Sequence, residues 1–397
     1  MDMKFLMTPG PTEIPVRVLR AMVRPAIGPG DPDYVRVWDE TEELLEKLLE
    51  TESYVVHFPG SGRVSIEAAM LSVLEPKDKI LTVNNGVFGK WLGVIARRLG
   101  FKVVEVEVDW RRSIDVEIIK ERLEREGDVK VVAVVHNETS TGVKNSIEEI
   151  GRVVKEHSAL FLADTVSSTG GDTVKTDEWR IDLNCTCSYK CFGAPSGLSI
   201  VAVSDEAWET MARRRKEAGS FAFDLYRWLQ MWIPPERGGK LVYGYRRHPI
   251  EPSPHMTYAL NEALKVIHEE GLEKRIRRNV IGGVALRAGL RSMGLELWPL
   301  KEEYASNTVT AILPPEGLRA HDIIEIMERE HGILIGGGLE ETYGKALRIA
   351  HMGITASEMH IIRTLSALEA TLKRLGMKIE KNVGVDTAME VFRREVL

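Results

Sequence analysis

Lys190 follows a strand-like run at residues 181–186 and precedes the loop Phe192-Gly193-Ala194-Pro195-Ser196-Gly197. An amine held among apolar elements loses hydration, which lowers its pKa and suits Schiff-base chemistry. A lysine that snorkels to solvent is the commoner case, and position alone does not separate the two. Asp164 ends the apolar run Ala159-Leu160-Phe161-Leu162-Ala163, where a carboxylate is costly to desolvate unless a cation meets it. A protonated pyridine nitrogen is one such cation; a turn capped by Thr165, Ser167 and Ser168 is the plainer reading. Pro59-Gly60-Ser61-Gly62-Arg63 follows a strand and opens a helix, so free N–H groups, the Ser61 hydroxyl and the Arg63 charge suit an anion. An ordinary tight turn has the same composition. Arg348 stands in the strand-like run Gly344-Lys345-Ala346-Leu347-Arg348-Ile349-Ala350. Its planar fork fits a substrate carboxylate or a structural salt bridge equally well.

Two further segments fall at strand ends. Thr139-Ser140-Thr141-Gly142 either holds a phenolic oxygen or forms a turn, and Phe88, after Asn84-Asn85-Gly86, either stacks on a ring or belongs to the core. The three cysteines, Cys185, Cys187 and Cys191, have no histidine in their local run, so they read as buried thiols and no metal site is expected. What singles out Lys190 is company. An anion turn stands at one strand end, and an acid and a lysine stand at the ends of two successive strands.

The elements that would place them form a regular series. Strand-like runs at residues 54–58, 79–83, 102–108, 129–135, 159–163, 181–186 and 198–203 alternate with helical patterns at 65–74, 89–99 and 147–156. Several runs are apolar throughout, as strands covered on both faces must be. The pattern predicts an α/β fold, a mostly parallel seven-stranded sheet flanked by helices, with ligands beyond the strands' C-terminal ends. An N-terminal segment covers residues 1–15 and the large domain 16–255, irregular and rich in aromatics and arginine over 221–254. One long connecting helix is expected over 256–293, then a smaller C-terminal α+β domain over 294–397. Its tail, from about residue 377, ends in an amphipathic stretch at 387–396 that docks on a neighbour or on the body.

Composition narrows the class. A chain of 397 residues holds two or three domains, and 44% hydrophobic with 28% charged content is that of a folded soluble protein. A net charge of -6 argues against a nucleic-acid surface, and the basic run Arg213-Arg214-Arg215-Lys216 reads as a solvated helix face. No run of about 18 apolar residues offers a membrane span. With Met1-Asp2-Met3-Lys4 opening no signal-like stretch, a cytoplasmic location is the expectation.

These residues resemble the alanine–glyoxylate and serine–pyruvate aminotransferases, class V of the fold-type I pyridoxal-phosphate enzymes. The resemblance runs from Thr8-Pro9-Gly10-Pro11-Thr12 to about Leu375. It is carried by Gly60-Ser61-Gly62 with Glu67-Ala68-Ala69, Leu74-Glu75-Pro76, Asn85-Gly86-Val87-Phe88-Gly89 and Glu138-Thr139-Ser140-Thr141-Gly142-Val143. Asp164 through Gly171, Lys190 through Pro195 and the run from Gly344 complete it. The resemblance implies pyridoxal 5′-phosphate on Lys190 as a Schiff base, Asp164 at the ring nitrogen, Phe88 and Val166 on the ring faces, and Thr139 near the phenolic oxygen. It implies Ser61, Gly62 and Arg63 at the phosphate, Arg348 at the substrate carboxylate, and Gly10 and Ser168 lining the substrate pocket. Tyr245 and His248 would reach the phosphate of the other subunit, making a homodimer with shared active sites. Tyr189 stands where many relatives carry a polar amide, His248 where a threonine is usual, and Arg63 where histidine is frequent.

The implied reaction is a ping-pong transamination between a small amino acid, alanine or serine, and a 2-oxo acid, glyoxylate or pyruvate. A pyridoxamine–pyruvate aminotransferase is one rival, against which the phosphate turn argues, and a class V lyase or desulfurase is another. A catalytically silent subunit on the same fold is the rival of a different kind. The joint presence of Lys190, Asp164 and Arg348 argues against it.

Overall fold

The computed structural model describes residues 4–396; Met1 to Met3 and Leu397, at the ends of the expected terminal spans, lie outside the described residues. The apolar runs form a seven-stranded sheet in the spatial order Tyr54–Pro59, Leu198–Val203, Leu183–Cys187, Leu160–Asp164, Val129–Val135, Lys79–Asn84, Lys102–Glu107. Only Leu198–Val203 runs antiparallel to its neighbours. Every residue of Leu160–Asp164, Leu183–Cys187 and Leu198–Val203 is buried, because packed elements cover both faces. One face packs Phe58, Leu162 and Val201 with Ile66, Trp38 and Trp228; the other packs Leu81, Val132 and Phe161 with Ile119 and Ile150. Each large side chain so buried contributes roughly 1.5–3 kcal/mol, and a one-residue slip would exchange the two faces. Register is thereby set, and with it the C-terminal edge at which Pro59, Asn84, Val135, Asp164 and Cys187 end their strands.

The long helix expected over 256–293 is two, Pro254–Glu270 and Leu272–Ser292. They part at Gly271, whose φ of 86° lies outside the right-handed region. The hydrophobic pattern runs through the break, which hid it from the sequence.

A second sheet has the order Phe5–Met7, Ile333–Gly337, Leu347–Ala350, Val309–Ile312, antiparallel except for the first pair. The N-terminal segment thus joins the C-terminal half of the chain. The tail folds onto the body: the helix Val383–Val396 packs on Leu272–Ser292, burying Ala388 and Phe392.

Candidate active site

Lys190 comes three residues after the strand Leu183–Cys187 and is 9% exposed. Burial holds its ammonium below its ordinary value. The N-terminal segment crosses it. Lys190 Nζ donates to the Pro9 carbonyl, and Thr12 Oγ1 donates to the Lys190 carbonyl at 2.8 Å. Only glycine fits at residue 10: its φ is 120°, and a Cβ there would stand 2.6 Å from Lys190 Nζ.

Asp164 is the last residue of its strand, and one carboxylate oxygen accepts the Val166 N–H at 2.9 Å. It has no ion pair among the described residues. Burial, aided by the nearby Glu138 and opposed by that N–H and by Lys190, pushes its carboxyl up to about 7.

Across from these two groups the helix Gly62–Val73 begins, with Ser61 as N-cap in extended backbone. Ser199 Oγ donates to the Ser61 carbonyl at 2.8 Å. The Gly62 N–H donates to the Tyr189 hydroxyl at 3.2 Å, so the tyrosine fills the place of an anion at the helix start. Burial pushes that phenol up to about 12 and keeps it protonated. The Arg63 guanidinium lies 4.7 Å over the Trp91 ring, and Phe88 meets Trp91 edge-on at 5.4 Å. Thr139 Oγ1 and Ser167 Oγ are 2.8 Å apart.

Gly10, Gly62, Arg63, Phe88, Thr139, Asp164, Val166, Tyr189 and Lys190 line one cavity of about 210 Å³. Ser61 stands one residue behind its wall. Arg348 approaches from the second sheet: Nε donates to the Gly337 carbonyl at 2.7 Å and Nη1 to the Thr139 carbonyl at 3.2 Å. No carboxylate pairs with it among the described residues, and burial pulls its guanidinium down to about 10 against the opposing pull of Glu138.

Arg348 does not itself line the cavity, and three further expected residues are elsewhere. Ser168 is fully buried and faces His136 Nδ1 at 2.9 Å, while its neighbour Ser167 lines the cavity. Tyr245 is 60% exposed on the surface of its own chain. His248 stacks on Trp232 at 3.6 Å and meets Trp38 edge-on at 4.4 Å, and burial depresses it to about 3. Conversely, Asn137, Trp91 and Ile66 line the cavity without having been singled out. Asn137 has the same strand-end signal as Thr139; Trp91 is three positions after Phe88 on one helix face. The Asn137 side-chain oxygen is buried without a hydrogen-bond partner.

The three cysteines are buried free thiols, all pushed up by burial. Among the described residues no group of three or more His, Cys, Asp or Glu side chains is placed to hold a metal, and no helix is long and apolar enough to cross a membrane. A wider groove of about 560 Å³ runs along Leu272, Ile276, Val280 and Val284. It contains no pair of buried, unpaired titratable groups, and chemistry favours the smaller cavity.

The family model described as Aminotransferase class-V matches residues 32–364. An uncharacterised aminotransferase of Methanocaldococcus jannaschii is 39% identical over 392 residues, 99% of this chain and 98% of that protein. Pyridoxamine–pyruvate transaminase of Mesorhizobium japonicum is 30% identical over 390 residues, 98% of this chain and 97% of that protein. The crystal structure of ureidoglycine–glyoxylate aminotransferase from Bacillus subtilis has a TM-score of 0.92 to this chain, with 32% identity over 99% of both chains.

Proposed function

The chain belongs to the class-V aminotransferase family and has its fold-type I architecture, and from that premise we propose that Lys190, Asp164 and Arg348 carry out transamination with pyridoxal 5′-phosphate in this cavity. One observation bears the proposal: a buried lysine and a buried carboxyl, neither in an ion pair among the described residues, face the same small cavity. A guest that brings a cation to Asp164 and a carbonyl carbon to Lys190 relieves both. The unpartnered Asn137 oxygen and the cradle left by Gly10 and Gly62 also fit a flat, polar-edged ring. When bound, the cofactor supplies a protonated ring that accepts the electron pair left when a substrate Cα–H bond breaks.

The chain's own residues do the rest. Asp164 keeps the ring nitrogen protonated, since an adjacent cation removes the cost of its ionisation. Lys190 Nζ, whose protonated form burial disfavours, anchors the cofactor and carries the proton between the two carbons that exchange it. Gly62, Arg63 and Ser61 receive the phosphate at the helix start, with the Tyr189 hydroxyl as a further donor. Phe88 and Val166 flank the ring, Thr139 meets its phenolic oxygen, and Arg348 holds the substrate's α-carboxylate. Tyr245 extends from its own surface toward a second copy in a homodimer. His248, held in the Trp232 stack, supports that loop from behind.

Alanine or serine as donor and glyoxylate or pyruvate as acceptor are our reading of the substrates. Two relatives are named for these acceptors, one for pyruvate and one for glyoxylate. The contact between Tyr189 and Gly62 favours a second reading, an unphosphorylated vitamer as substrate, because part of the anion site is already taken.

Titration with pyridoxal 5′-phosphate is expected to give a visible band that shifts with alanine or serine and returns with glyoxylate or pyruvate. A band with pyridoxal at equal affinity would favour the second reading. Undiminished turnover by Lys190→Ala would sink both.

A further inference from the structure

Arg275, near the start of the helix Leu272–Ser292, is 3% exposed and does not line the cavity. Its guanidinium donates to two loop carbonyls, Nε to Gly170 at 3.0 Å and Nη2 to Cys191 at 2.6 Å. Gly170 lies in the loop that leaves Asp164, and Cys191 directly follows Lys190. The third arm, Nη1, meets Glu270 at 2.7 Å. Glu270 also accepts from Arg278 Nε at 2.7 Å, and Arg278 Nη1 donates to the Gly353 carbonyl at 2.7 Å. Gly353 lies just beyond the strand Leu347–Ala350, which bears Arg348, and a Cβ on it would stand 3.5 Å from the Cys191 carbonyl. Two guanidiniums joined by one carboxylate thus touch all three loops.

We propose that Arg275 and Arg278, bridged by Glu270, are positioning residues that hold the loops of Lys190, Asp164 and Arg348 in mutual register. The inference rests on the roles given to those three residues above. A guanidinium directs its donors along fixed lines in one plane, so two carbonyls bound to the same fork cannot move independently. An ammonium at the same place is a point charge and imposes no such geometry. The helix at whose head they lie packs against the second sheet and the tail helix, so a shift of that helix reaches the cavity through this fork. Reacting groups misplaced by ~1 Å lose roughly 100-fold in rate, the scale on which such a clamp acts.

The test uses the full chain with Arg275→Met, Arg275→Lys and Arg278→Met. In the cofactor-free protein, hydrogen exchange at residues 167–171 and 188–193 is expected to rise at least about 10-fold in Arg275→Met, with the sheet strands unchanged. In the loaded protein, the pH midpoint of the visible band is expected to move by about half a unit or more. The half-reaction should slow roughly 100-fold at a donor KM within about threefold of wild type, with partial recovery in Arg275→Lys. Arg278→Met should raise the donor KM instead, because its bond reaches the Arg348 loop; this arm stands even if Arg275→Met fails to fold. Variants with wild-type exchange, pH midpoint and KM would overturn the inference. A wild-type protein that forms no band would overturn the cofactor reading, and the exchange measurement would still decide the clamp.

Discussion

Among the residues that line the cavity, Asp164 bears a large electrostatic cost. Its carboxyl is held near 7 in the fold against an ordinary value of 3.8, chiefly by burial. A carboxyl whose folded value is raised binds its proton more tightly when folded, so stability from this group falls as pH rises from about 4 to 7 and stays low above. Asp164→Asn is therefore expected to stabilise the cofactor-free protein, with a gain that grows by about 3 kcal/mol between pH 5 and pH 8. Chemical denaturation at the two pH values checks this, and an equal gain at both would contradict the assignment. The same substitution should abolish the half-reaction, because a neutral amide does not keep a ring nitrogen protonated. The positions of Asp164 and Lys190 were both legible in the sequence, the first at the end of an apolar run and the second after a strand-like one. Ser168 was misread: in the turn after Asp164 a shift of one residue decides whether a hydroxyl meets His136 or the cavity.

Among elements, the helix Gly62–Val73 meets the loop after Leu160–Asp164 at one end of the cavity. A Cβ on Gly62 would stand 2.5 Å from a Val166 methyl, and a β-branched side chain has little room to turn away. Gly62→Ala is therefore expected to displace Val166 and weaken pyridoxal-phosphate binding by at least about 10-fold, at a stability cost of roughly 1–3 kcal/mol. Equilibrium titration together with thermal unfolding separates the two effects; unchanged affinity would show that the loop yields freely. The strands were legible because continuous apolar runs of strand length between helical patterns leave a parallel sheet as the main choice. The break at Gly271 was not, because hydrophobic periodicity carries no record of one residue's φ.

At the scale of the whole molecule, the N-terminal segment closes on the cavity. The N-terminal strand Phe5–Met7 pairs with Ile333–Gly337, which brings Pro9 and Gly10 over Lys190. Trp91, in the cavity wall, donates to Glu340 at 2.7 Å, and Lys90 pairs with the same residue at 3.0 Å. Val16 is 62% exposed, Val23 85% and Tyr245 60%, apolar surface that a second copy would cover. Sedimentation equilibrium is expected to give twice the chain mass. Val23→Glu should shift the protein toward monomer and lower cofactor affinity together, if Tyr245 serves the partner's site. A monomeric wild type with full affinity would refute shared active sites.

By itself the sequence determined which strand ends carry polar and titratable residues: periodicity is local, Asp164 and the Gly60 to Arg63 turn sit where apolar runs stop, and Lys190 follows a strand-like run. Ordered motifs added the family and, through it, Phe88, Val166 and Gly10, all of which line the cavity. Only the tertiary structure decided which of two adjacent serines faces inward, that Asn137 and Trp91 join the wall, and that His248 is caged by Trp38 and Trp232. It alone brought Arg348 across from the second sheet and joined its loop to those of Lys190 and Asp164 through Arg275 and Arg278. Such contacts link residues tens to hundreds of positions apart. They are set by how sheets and helices stack, which no local pattern in the chain encodes.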